Sequence, residues 1–200
     1  MRGTVKGEAA IWFRTHVPVP LRWAMVAAVA AETLLGSLPA ILPWNMGHPA
    51  HWGLLLPLIT IAVCVTMLHS GFGPLEFPHR RHWRTARFGW CLLAALVATV
   101  PGLWCVDGLD LSGSVRNRLA FFSLACLSSL IVPATLSAVL PTLVMLVSMM
   151  MAAASPSPET AVFLLREHAS IAELTGVTAV VLLVAAAYGL SYPPRWARRT

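Results

Sequence analysis

Long apolar stretches alternate with short polar breaks along this chain, and the breaks carry almost all of its charge. Apolar runs over about 23–42, 52–69, 88–106 and 174–190 each approach the roughly 20 residues that a helix needs to cross a bilayer core. The pattern predicts helices. A fifth stretch, 119–154, holds thirty-six residues without a formal charge, interrupted by Pro133 and Pro141. At about 1.5 Å per residue and a core near 30 Å, that is too long for one crossing and barely enough for two. Two readings fit it: short tilted spans meeting near 133–137, or a hairpin that enters and leaves on one side. Ser123, Ser128, Ser129, Thr135 and Ser137 suit either, because broken backbone at that depth needs local polar partners.

Composition agrees with this pattern. The chain is 58% hydrophobic and 11% charged, where a soluble globular domain is usually about a quarter charged. Its 200 residues leave room for about six spans and no soluble domain of ordinary size, so 1–200 is expected to be one all-α transmembrane bundle. Segment 1–22 is basic apart from a patch at Ile11, Trp12 and Phe13, and reads as cytoplasmic or interfacial. The run that follows outlasts a signal-peptide core, which favours an uncleaved anchor over cleavage near Ala30.

Charge then orients the bundle. Basic residues before the first span, within 70–87 and in the tail 191–200 number eleven, and only Arg116, Arg118 and Arg166 fall on the other side. The positive-inside rule therefore predicts an even number of crossings, with both termini cytoplasmic, in a cell membrane. Arginines gathered at span ends are explained by topology and anionic headgroups, and nucleic acid is not an expected partner.

Chemistry is sparse in this sequence. It has no Walker motif, HExxH or GxSxG, so no enzymatic activity is expected, and ATP hydrolysis would belong to a partner subunit. No cofactor is implied. His79 and His82, with His69 upstream, have a spacing that fits a metal on one helix face, but flanking Arg80 and Arg81 repel a cation and favour solvated histidines. Cys64, Cys91, Cys105 and Cys126 lack metal-ligand spacing and read as small packing residues, as do Met145 and Met149, Met150 and Met151. Glu32 stands out as the one acid deep within a span. It is either a transport-path residue or a hydrogen-bonded packing residue facing the interior.

Two stretches carry a family resemblance. In 69–87, HSGFGPLEFPHRRHWRTAR, the residues Ser70, Pro74, Leu75 and Glu76 resemble a Ser-Pro-Leu-x-Glu loop; in 115–146, Arg116, Asn117 and Leu119 resemble an Arg-Asn-x-Leu helix start. Both resemble the membrane subunits of ABC-2-type exporters, in particular small permeases of high-GC actinobacteria. The chain departs from that pattern at Phe77 and Pro78, and at Ala120 and Ser123 where glycines are usual. The resemblance implies an ATP-binding cassette subunit as partner, a homo- or hetero-dimer of membrane subunits, and docking of the ATPase on Glu76, Arg80, Arg81, Trp83, Arg84 and Arg87. Independently, arginine and tryptophan in a compact loop have the composition of an interface anchor, or of plain headgroup anchoring.

The function expected from the sequence is thus a permease subunit of an ATP-driven exporter, coupled through 70–87, with Glu32 and 119–154 along the path. A non-transporting membrane protein, an immunity, assembly or scaffold factor packed against another complex, is the alternative.

Overall fold

The computed structural model describes residues 19–35, 38–40, 50–70, 80–103, 110–133, 136–154 and 168–191. Among them the chain is all-α, with helices α1 (Val19–Leu35), α2 (Trp52–Ser70), α3 (Arg80–Thr99), α4 (Leu111–Ser129), α5 (Val139–Ala154) and α6 (Ile171–Ser191). The β-strands β1 (Pro39–Ala40) and β2 (Ala50–His51) pair antiparallel and turn the chain from α1 back along α2.

Local chemistry explains the breaks. After α3, Pro101 cannot continue an α-helix and disfavours the helical conformation at the residue before it, so the chain tightens into a 3-10 turn over Val100–Leu103. The Thr99 hydroxyl meanwhile donates to the carbonyls of Ala95 at 3.1 Å and Leu96 at 2.8 Å. Helix α4 ends in the same manner ahead of Pro133, where the Ser129 hydroxyl donates to the Cys126 carbonyl at 2.7 Å and the amides of Ile131 and Val132 return to Ser128. The proline-broken stretch is therefore two helices joined by a turn.

The structure differs from the sequence expectation at two helix starts. Helix α4 begins at Leu111, eight residues ahead of the uncharged stretch, so Arg116 and Arg118 are inside it. They had been expected on an outer loop; both are instead buried, at 0% and 1% exposure, because carboxylates on neighbouring helices receive them. Helix α3 begins at Arg80, so the arginines that were read as loop form its first two turns. No glycine or proline intervenes between Pro78 and Phe88, and arginine and alanine are good helix formers.

Helix α4 is the centre, packing against α2, α3, α5 and α6. Its Phe121, Phe122, Ala125 and Cys126 join Ile61, Cys64 and Val65 of α2, Cys91 and Ala95 of α3, Met145 and Met149 of α5, and Val184 and Ala185 of α6. Met150 and Met151 face outward, and Cys64, Cys91 and Cys126 are free thiols in the core. Contacts near helix ends show how the helices run. The Tyr188 hydroxyl of α6 donates to the Leu68 carbonyl of α2 at 2.7 Å, and its ring meets His69 edge-on at 5.3 Å. A Cβ on Gly189 of α6 would stand 3.1 Å from the Arg84 carbonyl of α3. The end of α2, the start of α3 and the end of α6 therefore share one end of the bundle. At the other end, the starts of α4 and α6 meet through Asp110 and His168, 3.0 Å apart.

Polarity is inverted relative to an ordinary soluble protein. The two largest fully buried side chains are Arg116 and Arg118, while Trp23, Leu34, Ile59, Leu96, Leu143, Leu183 and Leu190 are exposed. One helix among the described residues, Ile171–Leu190, is long and apolar enough to cross a membrane; the apolar parts of α2, α3 and α5 are shorter.

Candidate functional site

The polar content of α4 sits in its first half, in the run Ser112, Gly113, Ser114, Arg116, Asn117, Arg118. On a helix, residues two apart lie about 200° around the axis, so Arg116 and Arg118 leave α4 toward different neighbours. Their depths are about 8 Å and about 10 Å below Leu111, at 1.5 Å per residue.

Arg118 turns toward α1. It forms an ion pair with Glu32, and both side chains are almost wholly excluded from solvent. Further bonds surround the pair: Arg118 Nε donates to Ser114 Oγ at 3.2 Å, Arg118 Nη1 to the Ala98 carbonyl at 3.4 Å, and Thr60 Oγ1 to Glu32 Oε2 at 2.7 Å. One ion pair thus ties α1, α2, α3 and α4 together. Removing two charges from water costs several kcal/mol per ion, and the geometry offsets this only where remaining donors and acceptors are also engaged. Gly102 makes the room, since a Cβ there would fall 2.4 Å from Arg118 Nε.

Arg116 turns toward α6. Its Nε donates to Asn117 Oδ1 at 3.1 Å, and its Nη1 reaches Glu173 Oε2 at 3.4 Å and the His168 carbonyl at 3.5 Å. Glu173 has a second task as the third helical residue of a capping box. Its Oε2 accepts from the Ser170 amide at 3.0 Å, and the Ser170 hydroxyl accepts from the Glu173 amide at 3.2 Å. Nearer the surface, Ser112 Oγ donates to Asp110 Oδ2 at 2.8 Å and accepts from the Ala169 amide at 2.9 Å.

Hydrogen bonds from His168 and then from Ser112 hold the Asp110 carboxyl at about 2, below its ordinary 3.8. Because the folded value is the lower one, the stability linked to Asp110 is present above pH 3.8 and is lost as pH falls toward 2. A carboxyl-carbon NMR titration is expected to give an Asp110 midpoint near 2, rising toward the ordinary value in His168→Ala.

The sequence-predicted residues are placed unevenly. Glu32 lies in the interior, joined to a cation that the sequence reading had placed in a loop. Arg84 is exposed at the opposite end and Arg87 is buried there. Arg80, Arg81 and Trp83 belong to the first turns of α3, with side chains outside the described residues, and Glu76 lies outside them altogether. His69 is half-buried against Tyr188. The structure thus brings together Glu32, Thr60, Ser114 and Arg118, and separately Arg116, Asn117 and Glu173. A signal for the first group was present: an acid alone in an apolar run requires a basic partner at similar depth, and Arg116 and Arg118 directly adjoin another such run.

No protein-family model, curated protein or solved structure matches this chain.

Proposed function

We propose that the chain is an integral membrane protein whose six helices cross the bilayer, with both termini on the cytoplasmic side, and that it is the membrane subunit of an ATP-driven exporter. The first half of this reading is supported by the inverted polarity: ionised groups point inward to partners, and large apolar side chains point outward. Hydropathy alone understates α4, because its arginines are matched inside the bundle by Glu32 and Glu173. Taking Arg116 and Arg118 out of the outer loops leaves eleven basic residues on the cytoplasmic side against Arg166, which strengthens the orientation.

The observation that carries the transporter half is the continuity of α3. One helix runs from Arg80, at the basic end, to Thr99, beside the Ala98 carbonyl that receives Arg118. A force applied by an ATPase to the first turns of α3 would reach the charged layer through a rigid element rather than a loop. Glu76, Arg80, Arg81, Trp83, Arg84 and Arg87 are the proposed contact, and Glu32 is a path residue only in a state where it has left Arg118. The neutralised Glu32 favours the second reading, a non-transporting scaffold or assembly partner, because the pair is accounted for by packing alone.

A pull-down of tagged protein from native membranes separates the two. An ATP-binding subunit is expected to accompany the wild type and to be lost when Glu76, Arg80, Arg81 and Arg84 are all changed to alanine. If no ATPase accompanies either, the non-transporting reading replaces the transporter.

A further inference from the structure

Helix α6 is held very differently along its length. Its second half is seated in the core through Val181, Val184, Ala185 and Tyr188, whereas its first half is mostly exposed. Ile171, Ala172, Thr175, Gly176, Thr178, Ala179 and Val180 face outward, and a Cβ built on Gly176 would meet nothing within 4 Å. What holds this half to α4 is polar: Arg116 to Glu173, His168 to Asp110, and the Ala169 amide to Ser112. The contrast with the other cation is sharp. Arg118 and Glu32 are both inaccessible and bonded to three further groups, while Arg116 reaches Glu173 at 3.4 Å and Glu173 remains 18% exposed.

We propose that the seam between the first halves of α4 and α6 is the part of the bundle that opens, with Arg116 and Glu173 as its latch, while the Glu32–Arg118 pair keeps α1 fixed on α4. The physical asymmetry dictates which side moves. Opening at α1 would strand two buried charges, whereas swinging the start of α6 outward lets Glu173 and His168 enter water and leaves its second half seated. Few apolar contacts have to break. The capping box travels with α6, since Ser170 and Glu173 cap each other and do not need α4. Opening would uncover Arg116 and Asn117 in the wall of the bundle. This inference is independent of whether an ATPase is the partner.

Amide hydrogen exchange on the full chain in lipid nanodiscs tests it, using Glu173→Gln. Glutamine preserves the capping box, so the variant weakens the latch without unwinding the helix. Exchange over 169–176 is expected to rise about tenfold, the scale for loss of one charge-assisted contact, with 181–188 unchanged. An equal rise along all of α6, or no rise, overturns the proposal. A disulfide formed between Asp110→Cys and His168→Cys in the same variant is expected to return 169–176 to wild-type exchange. Exchange that stays fast under the crosslink means that α6 frays locally, and the seam is then not what opens.

Discussion

Changing Glu32 to alanine is expected to destabilise the protein by about 3–5 kcal/mol, the largest loss for any single substitution considered. The cost does not come from the carboxylate's own contacts alone. It comes chiefly from Arg118, which would keep its charge about 10 Å inside the bundle with only the neutral Ser114 hydroxyl and Ala98 carbonyl beside it. Changing Glu32 and Arg118 together to methionine is expected to recover most of the loss, because a buried pair replaced by apolar side chains of similar volume is often neutral or stabilising. Denaturant unfolding of both singles and the double, closed as a double-mutant cycle, measures this coupling. An additive result would mean that the two groups do not depend on each other. The cycle also bears on function, because a double variant that folds and still exports would remove Glu32 from any transport path.

Much of the architecture was readable because helix breaks in an apolar chain have few causes. Prolines at 133 and 141 and the polar turns between runs mark boundaries that the backbone must obey, and the described helices respect them. Where the reading failed, the error had a single origin: each arginine was assigned to water because an unpaired arginine at depth is costly. That reasoning holds for Arg84, which is exposed, and fails for Arg116, Arg118 and Arg87, which are not. Burial of a charge depends on its partner, and Glu32 and Arg118 lie 86 positions apart in the sequence, so no local window contains both. Arg116 and Glu173 are similarly remote. The same limit hid the role of Ser170 and Glu173: their spacing reads as a capping box, but only the fold brings that box against α4.

The second large effect is expected at Gly102, a residue that no charge or motif singles out. A methyl group there would lie 2.4 Å from Arg118 Nε, 2.8 Å from Arg118 Cδ and 2.8 Å from Ser114 Oγ. In most places a long side chain would move aside. Here Nε is bonded to Ser114 while the tip is held by Glu32 and Ala98, so relieving the clash disturbs the whole set. Overpacking alone costs about 1–3 kcal/mol, and Gly102→Ala is expected at the upper end or beyond as the ion pair is displaced. The control is Gly176→Ala, which adds a methyl where nothing lies within 4 Å and, within a helix, should be neutral or stabilise by up to about 1 kcal/mol. The decisive comparison is Gly102→Ala in the background where Glu32 and Arg118 are both methionine. If the glycine acts by admitting the guanidinium, the penalty shrinks there to about 1 kcal/mol or less, because flexible methionine side chains repack around the added methyl. A penalty that persists unchanged would place the constraint in the 3-10 turn that follows α3, and the arginine would not be the reason for glycine at this position.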